Sequence, residues 1–265
     1  MERMIRKIIM AVAAAVFLFS TAMVVKYHLE VRSGEELAES LNEMVVILPT
    51  APAVPKPTEG EYTTEPTEGE SPTEPMEQVP IQVDFEGLCG QNPDVIAWIY
   101  CPDTPINYPV VQSSDNSYYL RRLLDGRRNT AGTLFMDFRN ESDLSDWNSI
   151  IYGHNMKNDT MFGTLTDYQS QSYFEAHRVM YLLTPEENYR IDLLAGFVTS
   201  AKDALYTAFD PDDVQKAEFL EKWLDASDFD AGFVPDAGCR LVTLSTCSYA
   251  FQNARFVIIG VLTAI

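Results

Sequence analysis

Cys247 closes the run Thr243-Leu244-Ser245-Thr246-Cys247, and Arg255 follows eight positions later. Residues 240–246 are rich in β-formers and deliver the thiol to the end of a predicted strand. A short turn over 248–253 leads to the arginine, which opens a second apolar strand at 256–262. Paired as an antiparallel hairpin, these strands set thiol and guanidinium face to face across the turn. A nucleophile beside a permanent cation suits acyl transfer, in which a thiolate attacks a carbonyl and a fixed charge stabilises the oxyanion.

Such chemistry also needs a group that moves protons, and the chain has three histidines. His28 adjoins an apolar run with no site around it, and His177 ends a polar segment as a surface or capping residue. His154 lies in Ile150-Ile151-Tyr152-Gly153-His154-Asn155-Met156, just past a predicted strand and after a glycine that permits a sharp turn. A lone histidine is by default structural, but a strand-end cysteine and arginine downstream favour a chemical role. An imidazole can help generate the thiolate and protonate the leaving amine. A guanidinium stabilises the oxyanion without risk of deprotonation. His154, Cys247 and Arg255 thus fill the roles of acid/base, nucleophile and electrostatic stabiliser.

The elements that must position them are short strands bounded by Gly, Pro, Asn and Asp. Candidates are 95–100, 108–112, 132–137, 149–152, 179–183, 189–200, 240–246 and 256–262, a number that points to a closed or nearly closed barrel. The fold class is therefore mainly β with helical insertions. Helices are predicted at 84–89, 117–124, 160–168, 171–177 and 211–226. In the last, Val214, Ala217, Leu220, Trp223 and Leu224 form an apolar stripe that reads as core packing, and Asp212 and Asp213 suit the helix dipole.

The N-terminal third has a different character. Residues 8–25 are uncharged and mostly apolar behind Arg3, Arg6 and Lys7, which fits a transmembrane helix with residues 1–7 in the cytoplasm and the remainder exported. A cleavable signal peptide ending near Ser20-Thr21-Ala22 is the competing reading. Residues 26–48 read as a juxtamembrane helix, with partner binding as an alternative role. Residues 49–80 form a Pro/Glu-rich linker, with seven glutamates and no lysine or arginine between 57 and 80 and Pro-Thr-Glu-Gly-Glu at both 57–61 and 66–70. Its composition predicts a disordered spacer able to hold the domain over 81–265 several tens of ångströms from the membrane, at about 3 Å per residue.

The net charge of −20 argues against nucleic acid as a partner, since phosphate binding needs basic surface. Cys89, Cys101, Cys239 and Cys247 contain no CxxC pair, so zinc has little support. A free Cys247 leaves at most one intramolecular disulfide, and a Cys89–Cys101 link stays open.

Beyond these separate features, the chain resembles the class B sortases, membrane-anchored cysteine transpeptidases of Gram-positive bacteria. The resemblance covers about 81–265. It rests on Asn92-Pro93-Asp94-Val95-Ile96-Ala97-Trp98-Ile99, Ile106-Asn107-Tyr108-Pro109-Val110-Val111-Gln112 and Gly132-Thr133-Leu134-Phe135-Met136-Asp137. It continues through Tyr152-Gly153-His154-Asn155-Met156, Thr243-Leu244-Ser245-Thr246-Cys247 and Ala254-Arg255-Phe256. It implies an eight-stranded sortase-type β-barrel with extra N-terminal helices and a helix-bearing insertion before the seventh strand. It also implies catalytic roles for His154, Cys247 and Arg255, and a substrate groove lined by Asn116, Leu120, Tyr152, Tyr206 and Ser245. One departure stands out: some relatives carry an acidic residue directly after the nucleophile, where this chain has Ser248.

The expected activity is cleavage of a C-terminal sorting signal (NPxTx or LPxTG-like) after Thr, on a secreted protein. The acyl group then passes from a Cys thioester to an amine of a peptidoglycan precursor or a pilin, with no cofactor. A hydrolytic cysteine peptidase and a noncatalytic surface-tethered binding module are the rivals. Papain-like and caspase-like signatures are absent, which weakens the first.

Overall fold

The computed structural model describes residues 2–48 and 79–265. Eight strands close into one barrel: β3 (Val95–Tyr100), β4 (Asn107–Val111), β5 (Leu134–Met136), β6 (Asn148–Tyr152), β7 (Val179–Leu183), β8 (Asn188–Ser200), β9 (Arg240–Cys247) and β10 (Ala254–Ala264). Around the barrel they run β10-β8-β7-β3-β4-β5-β6-β9, and β9 pairs with β10 to complete the circle. The β4–β5 and β6–β9 pairs are parallel and the rest antiparallel. A parallel pair needs a long crossover. The chain between β6 and β9 supplies one, with β7, β8 and the helical insertions.

The barrel interior is filled by side chains such as Ile99, Leu134, Phe162, Met180, Ile191 and Phe256, all fully buried. A second cluster lies outside it, where α4 (Asp213–Ala226) covers β8. There Trp223 stacks on Trp147 with ring centroids 5.7 Å apart. A capping box, in which Asp212 and Gln215 each bond the other's backbone, starts α4. Its apolar stripe is shorter than expected. Leu220 and Trp223 are buried, whereas Val214 and Ala217 are exposed because the first turns are not packed against the barrel.

Two predicted helices shrink to 3-10 turns, at Tyr119–Arg121 and Gly163–Gln169. Over 117–124 the reason is tertiary competition for carbonyls. The Tyr119 oxygen accepts from Thr133 N, the Leu120 oxygen from His154 and the Arg121 oxygen from Asn129 N, so these acceptors serve other segments. A helix cannot propagate without them.

The N-terminal region departs furthest from expectation. Anchor and juxtamembrane segments form one unbroken helix, α1 (Glu2–Asn42), rather than two units, and the helix stops before residue 48. Among the described residues it is the one helix long and apolar enough to cross a membrane, and none of its apolar window is buried by the rest of the fold. Its C-terminal part docks on the barrel. Leu41 is buried with Trp98 and Val111, and Asn129 Nδ2 donates to the Glu30 carbonyl at 2.6 Å. Residues 45–47 then form β1 (Val45–Ile47), which pairs antiparallel with β2 (Ile81–Val83). Leu48 N donates to the Pro80 carbonyl at 2.7 Å. Val45 and Ile47 extend an apolar pattern that a helix or a strand can use, and cross-strand pairing with β2 decides for the strand.

This clasp changes the part assigned to the Pro/Glu-rich linker, nearly all of which lies outside the described residues. The linker joins two paired strands, so it does not stand in series between anchor and barrel. The second helix, α2 (Phe85–Gln91), is capped by Asp84, whose carboxylate accepts from Gly87 N at 2.9 Å; α3 (Gln171–Ala176) follows later. All four cysteines are free, so Cys89 and Cys101 are not linked. Burial pushes the Cys101 and Cys239 thiols up, away from reactivity.

Because β1 and β2 hold the ends of the linker together, replacing residues 49–78 by a turn of a few residues should leave the fold intact. Unfolding free energy is expected to rise by no more than about 2 kcal/mol, the loop-closure entropy saved in roughly three halvings of loop length. Loss of cooperative unfolding in the shortened chain would contradict the clasp.

Candidate active site

Strand β9 sets the geometry. Its antiparallel register with β10 places Cys247 directly opposite Arg255, so the two side chains project from the same face. Its parallel register with β6 aligns Tyr152 with Ser245. The alignment continues past the last paired residues, with Gly153 N donating to the Ser245 carbonyl at 3.0 Å and Thr246 Oγ1 to the Gly153 carbonyl at 2.9 Å. Two residues beyond the Tyr152–Ser245 pair stand His154 on one segment and Cys247 on the other. Asn155 Nδ2 donates to the Cys247 carbonyl at 2.9 Å and binds the two strand ends together.

Gly153 is required for space rather than for a sharp turn. A Cβ there would lie 2.4 Å from Leu134 Cδ2 and 2.5 Å from Phe162 Cδ2. His154 is held by its Nε2, 2.7 Å from the Leu120 carbonyl. A carbonyl only accepts, so Nε2 donates this bond and Nδ1 takes no part in it. Arg255 Nη1 donates to the Ala254 carbonyl at 3.0 Å, which steadies the guanidinium. Ser248 closes the turn: its N–H donates to the Ala254 carbonyl and its Oγ accepts from Ala250 N.

The other five candidate residues gather at the same barrel end. Ser245 is buried, and its Oγ lies 2.8 Å from the Tyr206 hydroxyl. Tyr206 stacks on Tyr152 with centroids 6.1 Å apart and planes within 15°. Tyr206 belongs to a 3-10 turn, Ala204–Thr207, in the insertion before β9, and Lys222 of α4 bonds Asp203 at the start of that turn. Leu120 contributes its carbonyl to His154 and keeps an exposed side chain. Asn116 Nδ2 donates to Asp137 Oδ2 at 2.9 Å.

A sortase domain, as a family, matches residues 99–263. The chain belongs to the sortase family. Sortase B of Staphylococcus aureus is 31% identical over 185 residues, which cover 69% of this chain and 76% of that protein. Sortase B of Listeria monocytogenes is 32% identical over 171 residues, covering 64% and 70%. A solved S. aureus sortase B–substrate complex superposes with a TM-score of 0.65 at 32% identity, over 68% of this chain and 85% of that one. These likenesses make this sortase a class B transpeptidase with the barrel expected from its motifs.

Sequence reasoning missed the residue that ties these candidate positions together. Asp137 is fully buried just past β5. It accepts from Tyr152 Oη at 2.8 Å, from Asn116 Nδ2, and from Arg139 through Nε at 2.8 Å and Nη2 at 2.7 Å. Arg139 Nη2 also reaches the Tyr206 carbonyl at 3.1 Å. One carboxylate thus joins three of the groove candidates. Burial alone would raise its pKa, but the hydrogen bonds from Arg139, then Tyr152 and Asn116, outweigh it and hold the carboxyl below the usual range. Burial raises the Tyr152 phenol, with the Asp137 charge adding to it, and pushes Tyr206 up to about 12. Both therefore remain hydrogen-bond donors at neutral pH. The signal available in the sequence was an aspartate at the end of an all-apolar strand with an arginine two positions on.

Because the folded Asp137 carboxyl titrates below its unfolded value, its contribution is complete above pH of about 4 and is lost as pH falls through the lowered value. Melting curves from pH 7 to 3 should show an acid-side loss that flattens in Asp137→Asn, which should also melt lower at pH 7. Equal acid slopes for the two proteins would contradict this role.

Proposed function

We propose that this sortase performs a two-step acyl transfer on a peptide signal, with Cys247 as nucleophile. The thiolate attacks the carbonyl of threonine in the sorting signal, and Arg255 stabilises the oxyanion that forms. His154 donates a proton to the leaving amine, the carbon–nitrogen bond breaks, and a thioester remains on Cys247. An incoming amine then attacks the thioester, His154 accepts its proton, and the thiolate leaves as the new amide forms. The observation that carries this reading is the double register of β9, which gives Cys247 one neighbour able to move a proton and another with fixed positive charge.

Asn116, Leu120, Tyr152, Tyr206 and Ser245 form the groove for the signal. Likeness to the S. aureus sortase B–substrate complex supports substrate binding there, and the substrate in this reading is an NPxTx-type or LPxTG-like peptide. The acceptor is an amine of a peptidoglycan precursor or a pilin. The apolar part of α1 anchors the enzyme as a single pass, with residues 1–7 inside and the barrel on the outer face. Extracellular placement gives access to translocated proteins and to wall precursors, which a cytoplasmic enzyme would not meet.

Product analysis tests the reaction. The full chain in detergent, given signal peptides and triglycine, should form the peptide–glycine adduct; cleaved acid alone, with any amine acceptor, would favour hydrolysis. Cys247→Ala should abolish both products. Arg255→Ala should lower kcat by roughly 10²–10³, the usual cost of losing one oxyanion contact, with Arg255→Lys recovering part of it. Activity unchanged in Arg255→Ala would remove the guanidinium from the mechanism.

A further inference from the structure

The chain is strongly acidic, yet residues 121–128 read Arg-Arg-Leu-Leu-Asp-Gly-Arg-Arg. Arg121, Arg127 and Arg128 are exposed, whereas Arg122 is turned inward to the Gly126 carbonyl and the Tyr118 ring. Against these stand Asp125, which pairs with Arg127, and Glu30 of α1, which lines the same cleft as Arg121 and Arg128 and pairs with Lys26 at 3.6 Å, leaving the arginines in excess. Asn129 pins the loop to α1 by donating to the Glu30 carbonyl and to Ser33 Oγ, at 2.6 and 3.1 Å. The apolar run of α1 ends at Val25, and five residues of helix rise about 8 Å. The loop meets the helix at this level: Arg121 and Arg128 line one cleft with Met23, Lys26 and Tyr27. Met23 lies within the apolar run and Tyr27 just past its end, so these arginines sit at the depth of a membrane's headgroups, where tyrosine side chains also concentrate.

Taking α1 as the membrane anchor proposed above, we infer that the 121–128 loop and Lys26 bind the phosphates of anionic phospholipids and seat the barrel on the outer leaflet. Guanidinium groups suit this task because their paired N–H donors match phosphate oxygens. Depth selects the phospholipid layer over a soluble anion, since the cleft includes a residue of the apolar run itself. The surface also borders the site. Leu120, whose carbonyl holds His154, immediately precedes Arg121. Lipid seating therefore brings the His154 edge of the site to the membrane surface.

The test uses the full chain in nanodiscs of phosphatidylglycerol or of phosphatidylcholine, with amide exchange read by mass spectrometry. Peptides covering 119–133 should exchange roughly tenfold more slowly in the anionic discs, and a few hundred millimolar salt should shrink the difference. Arg121→Gln with Arg128→Gln should abolish the lipid difference without changing the melting temperature; the salt titration of the unaltered chain gives the same answer if that variant misfolds. Equal exchange of 119–133 in both lipids, with 8–25 protected, overturns this proposal alone. Free exchange of 8–25 overturns the anchor reading and this proposal with it. Protection that appears only on adding a polyprenyl pyrophosphate to phosphatidylcholine discs, and not with phosphatidylglycerol, overturns the phospholipid assignment.

Discussion

The site depends on β9 being hydrogen-bonded on both sides. One edge runs antiparallel to β10 and the other parallel to β6, and the barrel closes only because both ladders form. Strand register is discrete: a slip by one residue sends every side chain to the opposite face. The same backbone bonds that close the barrel therefore decide that Cys247 lies opposite Arg255 and that the β6 end leading into His154 lies beside Ser245. Nothing in the thiol, the ring or the guanidinium brings them together. Ladder hydrogen bonds do, with Gly153 leaving the room that Leu134 and Phe162 need beneath the β6 end.

A second layer holds the groove. The Asp137 carboxylate gathers Asn116, Tyr152 and Arg139, and through Arg139 it reaches the Tyr206 turn. A buried charge is tolerated here because a guanidinium and two neutral donors surround it. Tyr206 then bonds Ser245, two residues before Cys247, so the insertion and β9 are tied to one support. At the N-terminal side, a continuous α1 replaces the picture of a barrel on a long tether. The helix that leaves the apolar run is itself packed on the barrel through Leu41 and Asn129. The orientation of the barrel relative to the docked end of α1 is thereby part of the fold.

Much of this was legible in the sequence. All eight barrel strands were found, because β-branched and aromatic runs between turn residues leave little ambiguity. The Cys247–Arg255 hairpin followed from spacing alone. What escaped was decided by contacts distant in sequence. The 117–124 segment has helical spacing, but its carbonyls are claimed by Thr133, His154 and Asn129. Val45–Ile47 turns extended because Ile81–Val83 pairs with it from across the linker. Asp137 looked like a strand-end polar residue, and its importance lies in partners at positions 116, 139 and 152. Tyr206 is positioned by stacking on Tyr152, a contact distant in sequence.

The central claim is that Cys247, flanked by His154 and Arg255, carries the acyl group. Intact-mass spectrometry of the full chain, mixed with a sorting-signal peptide and quenched in acid before any amine is added, addresses it directly. The account predicts one adduct equal in mass to the acyl fragment, mapped to Cys247, which disappears when an amine acceptor is supplied while the ligated peptide accumulates. An adduct on Cys89, Cys101 or Cys239, or peptide turnover with no adduct under any quench, would contradict it.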